Sequence, residues 1–205
     1  MNERPRVVLA TRNAHKLEEM RRILADAGLD IDLVGTDAFP DMPDVEETGT
    51  TFAANAVLKA QAVASYCGLP AVADDSGLCV DALNGMPGIL SARWCGRHGD
   101  DAANLELVLA QMSHVPASRR GASFHCAAAI ALPDGDVRVV EASLDGRLIE
   151  SPVGTNGFGY DPIFMPLGHD RTTAQMTAQE KDAISHRGAA LAALVPVMRD
   201  QLVRP

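Results

Sequence analysis

The sequence predicts an α/β or α+β fold, and three observations predict it. Strand-like and helix-like hydrophobic periods alternate through the first half, a long hairpin signal follows, and the C-terminal segment has a helical period. With 205 residues, 47% of them hydrophobic, the chain can bury a substantial core, and its length suits one domain over residues 1–205.

Arg6 to Ala10 is expected to be a short buried strand. Ala14 to Ala27 follows as an amphipathic helix with Leu17, Met20, Ile23, Leu24 and Ala27 on one face. Ile31 to Val34 is a second strand. Thr36 to Gly49 holds two prolines and several acids, closing on Glu46-Glu47, and is a loop. Thr51 to Tyr66 is alanine-rich and helical, stopped by Gly68 and Pro70. Leu69 to Ala73 is a buried strand running out into Asp74-Asp75-Ser76-Gly77. Asp101 to Met112 is a helix, and Val115 to Gly121 a polar connection. Ala122 to Leu132 and Val137 to Leu144 flank Pro133-Asp134-Gly135-Asp136, where Asp-Gly supplies the positive φ of a tight antiparallel turn. Thr177-Ala178-Gln179-Glu180 has capping-box spacing and opens a helix through Lys181 and beyond, broken or kinked at Pro196.

Composition excludes several classes. No apolar run approaches the roughly 18 to 20 residues of a membrane helix. The opening Met1-Asn2-Glu3-Arg4-Pro5-Arg6 leads into a strand, not a signal-peptide core, so a cytoplasmic protein with no membrane partner is expected. Cys67, Cys79, Cys95 and Cys126 show no paired spacing, which speaks against a zinc site or a disulfide framework. A formal net charge of -9 disfavours a nucleic-acid polymer as partner. Phosphate chemistry must then rest on a few placed cations. Of 18 Lys and Arg, only Lys16, Lys59 and Lys181 are lysines, and each falls in a segment that suggests a site.

Five segments carry that suggestion. In Ala10-Thr11-Arg12-Asn13-Ala14-His15-Lys16 a helix begins with Asn13 as its cap, and three basic side chains sit at the end where the helix is already electropositive. A bound phosphate would offset that cost; splaying into water is the other reading. Asp74-Asp75-Ser76-Gly77 lies at the carboxyl end of a strand, where paired carboxylates can hold a divalent cation and activate water, or merely form an Asx turn. Strand alternation gives the two aspartates different roles. Glu46-Glu47-Thr48-Gly49 precedes a helix on which Asn55 and Lys59 share a face, so the acidic pair is a natural metal partner for the aspartates. Gly154 to Pro162 lacks the ending of a phosphate loop, but Phe158 and Tyr160 could offer a stacking surface for a base or simply pack. In Glu180 to Gly188, Lys181 and Ser185 are expected on one helical face, with His186-Arg187 adding donors.

In this order the segments resemble the inosine triphosphate pyrophosphatase family, the non-standard purine nucleotide pyrophosphatases. The resemblance rests on Thr11 to Lys16, Glu46 to Gly49 with Asn55 and Lys59, Ala73 to Gly77, Phe124-His125-Cys126, Gly157 to Pro162 and Glu180 to Gly188, and it spans nearly the whole chain. It implies an elongated mixed central sheet with helices forming two lobes around a nucleotide-binding cleft, and a homodimer. It implies that Thr11, Arg12, Asn13, Ala14, His15 and Lys16 grip phosphates and that Glu46 and Asp75 hold Mg2+, with Asp75 also the general base. It further implies that Ser76 contacts the nucleotide, that Phe158, Gly159, Tyr160 and Asp161 pack on sugar and base, and that Lys181, His186 and Arg187 read the purine edge. Asn55, Lys59 and Ser185 join the substrate-binding set. The alternatives are a pyrophosphatase for modified pyrimidine nucleotides and a non-catalytic nucleotide sensor.

Overall fold

The computed structural model describes residues 4–202; Met1 to Glu3, where the N-terminal reading begins, and residues 203–205 lie outside the described residues. Six strands form one sheet in the order β2-β1-β3-β4-β5-β6. They are β1 (Arg6–Leu9), β2 (Asp32–Gly35), β3 (Ala71–Val80), β4 (Gly121–Ala131), β5 (Val137–Leu148) and β6 (Phe164–Pro166). β1 pairs in parallel with both β2 and β3, whereas β5 and β6 are antiparallel, so the sheet is mixed. The helices are α1 (Ala14–Asp26), α2 (Phe52–Cys67), α3 (Asp101–Gln111), α4 (Ala178–Asp182) and α5 (His186–Leu202). Among the described residues no helix is long and apolar enough to cross a membrane.

The chain divides into two compact units. The first comprises the residues up to Asp75, Cys126–Ala142 and those from Arg187 onward; the second comprises Ser76–His125 and Ser143–His186.

In the first unit the two-residue strand period builds two separate cores. Val7, Leu9, Val72, Ala128 and Ile130 pack with Met20 and Leu24 of α1 and with Ala190, Leu191, Leu194, Val195 and Met198 of α5. Val8, Ala71, Ala73, Ala127, Ala129 and Ala131 pack with Ala56, Ala60, Val63 and Ala64 of α2. Burial on both faces is what parallel strands require. The second core is largely alanine against alanine, which leaves little room for added volume. Ala60→Leu is therefore expected to lower stability by roughly 1 to 3 kcal/mol through overpacking, readable as a lower urea midpoint with an unchanged slope.

In the second unit Leu78, Val80, Leu105, Val108, Met112, Ala122, Leu148, Tyr160, Ile163 and Phe164 form one core. Arg120, almost fully buried, donates to the carbonyls of Met112 (2.8 Å) and Val115 (2.9 Å), placing a cation at the electronegative end of α3.

Three expectations need correction. α1 ends at Asp26, and Ala27 is its exposed cap, outside the apolar face. The expected helix from Thr177 is two helices: the capping box forms, but α4 closes after five residues and α5 starts at His186. Tightened i to i−3 hydrogen bonds at Ile184 and Ser185 close the first, and Ser185 then stands at the N-cap position of the second, where serine is favoured. Finally, α5 is not broken at Pro196 but continues through it. Burial of Leu191, Leu194, Val195 and Met198 around it outweighs one lost backbone hydrogen bond.

Candidate active site

The Asp74-Asp75 pair was expected just past a strand end, but β3 continues to Val80, so the pair is mid-strand. Pairing within the sheet overrides the turn preference of Asp-Ser-Gly. The consequence is strict alternation, and the two carboxylates face different partners.

Asp75 faces α2. Thr51 caps that helix by accepting from the Ala54 N–H, and Asn55 and Lys59, four residues apart, both reach Asp75. Asn55 Nδ2 donates to Asp75 Oδ2 at 3.0 Å, and Lys59 Nζ donates to Oδ1 at 3.2 Å. Asn55 is fully buried, and its Oδ1 accepts from the Gly49 N–H at 2.8 Å. A Cβ at Gly49 would lie 2.6 Å from that same oxygen, so the acidic segment reaches α2 only because residue 49 is glycine. Lys59 Nζ also donates to Glu47 Oε1 at 2.9 Å, so two carboxylates share one ammonium. Burial, helped by the negative charge of Glu47, pushes the Asp75 pKa above the usual aspartate range despite Lys59 and Asn55. Burial works to lower the Lys59 pKa, but Asp75 and Glu47 together more than reverse it, and the ammonium stays charged. Glu46 is exposed, one residue before the acid that touches Lys59.

Asp74 accepts from Lys16 Nζ at 2.9 Å and from Arg187 Nε and Nη2 at 3.1 and 3.3 Å, while Arg187 Nη1 also pairs with Glu19. Burial lowers the Arg187 pKa to about 10, which still leaves it protonated at neutral pH. Asn13 caps α1 as expected, accepting from the His15 and Lys16 N–H groups, and itself donates its N–H to Thr11 Oγ1. The basic residues at this helix end are offset by acids of the chain itself: Asp74 for Lys16 and, on the surface, Asp44 for Arg12 at 3.3 Å. Arg12, Asn13, Ala14 and His15 are exposed, and Thr11 and Lys16 half-buried.

In the second unit Asp161 organises the glycine-bounded turn. Its carboxylate accepts from the Phe158 N–H at 2.8 Å, from Thr173 Oγ1 at 2.8 Å and from Lys181 Nζ. Gly157 takes φ +77, and a Cβ there would collide with this carboxylate. The Gly159 N–H donates to Asp101 Oδ2 at 2.8 Å, and the buried Tyr160 hydroxyl donates to the Ser91 carbonyl at 2.9 Å. With the loop tied at these points, the Phe158 ring is 74% exposed, and Lys181 Nζ lies 4.7 Å from its centroid. His186 stacks on Phe124 at 4.9 Å between ring centroids and 9° between planes. Ser76 is half-buried; Ser185 is buried and is not on one helical face with Lys181, because it lies between α4 and α5.

Sequence reasoning missed Glu19, Asp101 and Thr173, singled out Glu46 over Glu47 within the acidic pair, and gave Asp74 a part only within the paired carboxylates. Asp101 had a sufficient local reason, an acid in a helix's first turn. Glu47 was masked by its identical neighbour, and Glu19 looked like an ordinary surface acid on α1.

Known proteins supply the context for this geometry. The sequence profile of the Ham1 family matches residues 7–197. A dITP/XTP pyrophosphatase of Streptomyces avermitilis is 66% identical over 197 residues, covering 96% of this chain and 98% of its own. One from Mycobacteroides abscessus is 53% identical over 196 residues, 95% of each chain. The crystal structure described as nucleoside-triphosphatase / dITP/XTP pyrophosphatase from Mycobacterium abscessus has a TM-score of 0.80 at 53% identity, covering 93% of this chain and 99% of that one. A Coxiella burnetii HAM1 protein has a TM-score of 0.88 at 43% identity, covering 95% and 98%. With a profile match over most of its length, relatives above half identity and solved folds that overlay nearly end to end, the chain belongs to the Ham1 family.

Proposed function

We propose that this chain hydrolyses inosine, deoxyinosine and xanthosine triphosphates to the monophosphate and pyrophosphate, clearing non-standard purines from the nucleotide pool. The observation that carries the reading is Asp75, a carboxylate with its pKa pushed upward, held between an amide and an ammonium on a rigid strand. The names of the relatives support the substrate class.

In the proposed step a water oxygen bonds to the α-phosphorus while the bond from that phosphorus to the oxygen bridging the α- and β-phosphates breaks. The bridging oxygen keeps the electron pair, and the water's proton passes to Asp75. A raised pKa makes Asp75 a better base near neutral pH than an ordinary aspartate. Lys59 and Asn55 fix its carboxylate plane, and Thr11 to Lys16 take the phosphates. The donors fit a hard divalent cation: Asp75 and Glu47 already converge on one positive charge, and exposed Glu46 is adjacent. Asp75 and Glu46 would hold magnesium, which when bound neutralises charge on the triphosphate.

For the base, Phe158 offers its exposed ring, while Tyr160 and Asp161, both buried, and Gly159 fix the loop that carries it. Ser76 contacts the nucleotide. Lys181, His186 and Arg187 read the purine edge with donors toward a 6-keto oxygen, and Ser185 joins the substrate-binding set. An adenine amino group opposite such donors leaves both sides unpaired, at a cost on the order of several kcal/mol. The motif resemblance also carries a homodimer acting in the cytoplasm, and sedimentation at the dimer mass is expected.

The test is product analysis with magnesium and ITP, XTP, dITP, GTP, ATP or dTTP supplied separately, assaying pyrophosphate and orthophosphate in parallel. Pyrophosphate from ITP, XTP and dITP with little from the others is expected. Orthophosphate would place attack at the terminal phosphorus, turnover of modified pyrimidine nucleotides would move the substrate class, and tight binding without turnover would make the protein a sensor. Lys16→Ala is expected to raise KM for ITP about 10- to 100-fold, the scale of one charged hydrogen bond to phosphate.

A further inference from the structure

Phe124-His125-Cys126 carries part of the family resemblance, yet none of its side chains has a part in the proposed reaction. Phe124 lies on β4, whose two-residue period puts it on the face of buried Ala122 and turns Ser123 and His125 to the other, where Ser123 Oγ and His125 Nε2 meet at 2.9 Å. On its own face Phe124 touches two rings. One is the fully buried Phe164 of β6, with centroids 4.5 Å apart and planes inclined at 57°. The other is His186, stacked at 4.9 Å and 9°. β6 pairs with β5 so that Phe164 stands opposite Leu148, and a Cβ at Gly146 would lie 2.6 Å from Phe164 Cζ and 2.5 Å from the Met165 carbonyl oxygen. The Phe164 ring therefore rests against the backbone of β5 and cannot retreat from Phe124. His186, the first residue of α5, lies on a ring that the sheet itself holds in place.

A histidine side chain turns about two bonds, and its ring N–H donates within the ring plane, so the plane decides where the donor can aim. Stacking occupies a face of the ring and not the nitrogens at its edge. We infer that Phe124 is a positioning residue for base recognition: by stacking on His186 it holds the imidazole plane in which a ring N–H meets the 6-keto oxygen of the purine. This role of Phe124 rests on the reading of His186 as a residue of the purine edge.

A double-mutant cycle on ITP hydrolysis with magnesium, alongside thermal melts, tests it. Phe124→Leu keeps an apolar side chain but offers no plane. It is expected to raise KM for ITP about 3- to 10-fold, the scale of one misaimed hydrogen bond, with a smaller change in kcat. Phe124→Tyr keeps the ring face and is expected to recover to within about twofold of the wild type. In a protein that already carries His186→Ala, Phe124→Leu is expected to change KM by less than about twofold, because a residue that acts through His186 then has nothing left to position. Full additivity in the double variant would overturn the inference and leave Phe124 as an ordinary core residue. A wild-type KM in Phe124→Leu beside an impaired His186→Ala would overturn it too, as would equal losses in Phe124→Leu and Phe124→Tyr. If Phe124→Leu does not fold, the wild-type protein still decides: the His186 ring-proton resonances, assigned by their disappearance in His186→Ala, are expected to be displaced by the ring current of Phe124, and resonances at the positions of an unstacked histidine would overturn the inference. A wild-type KM in His186→Ala would instead remove the purine reading of His186 itself.

Discussion

Asp75→Asn is expected to lower kcat for ITP by roughly 10²- to 10⁴-fold, the contribution of a positioned general base, while leaving the protein folded. The fold is expected to survive because burial is the largest influence on Asp75 and it disfavours the charged form. A neutral amide of the same shape removes that desolvation cost. Asn55 Nδ2 can still donate to the amide oxygen, and Lys59 keeps Glu47 as a partner at 2.9 Å. The thermal midpoint should therefore stay within a few degrees of the wild type. Single-turnover rates with binding measured in parallel would locate the loss in the chemical step. A rate like that of the wild type would remove Asp75 from the mechanism.

Asp161→Ala is expected to have the largest effect in the second unit, on stability and on KM together. The carboxylate is 2% exposed and holds a backbone N–H, a hydroxyl and an ammonium at once. Removing it leaves the Phe158 N–H without its acceptor and the Thr173 hydroxyl with only the Asp161 carbonyl at 3.2 Å, at about 1 to 3 kcal/mol for a buried donor left unpaired, while the partly exposed Lys181 can turn toward water. A net loss of roughly 2 to 4 kcal/mol is expected in urea unfolding. Because the Phe158 N–H and Lys181 lose the same anchor, the exposed ring loses its fixed orientation, and KM should rise more than kcat falls. Asp161→Asn is the control: an amide can keep one acceptor on Phe158 and Lys181 and present its NH2 to Thr173, so its loss should be the smaller. Equal stability of Asp161→Ala and wild type would mean that the loop is held by Asp101 and Tyr160 alone.

Legible in the sequence were β1 to β5 and α1 to α3 in order, the Asn13 cap, the Thr177 capping box, the tight turn before β5 and the Asn55–Lys59 face. Each of these is set by residues within about four positions, where hydrophobic period and capping chemistry act. It also separated Asp74 from Asp75, because alternation along a strand is local. Folding in three dimensions was needed to carry β3 past the aspartates, to end α4 before Ser185 and to make Glu47 the acid on Lys59. It alone brought Arg187 onto Asp74, 113 residues away, and Lys181 onto Asp161. Those outcomes depend on sheet pairing, on packing around Pro196 and on which charges share a desolvated volume. In such a volume an unpaired charge costs several kcal/mol, so the nearest opposite charge in space becomes its partner, and spacing along the chain carries no trace of that choice.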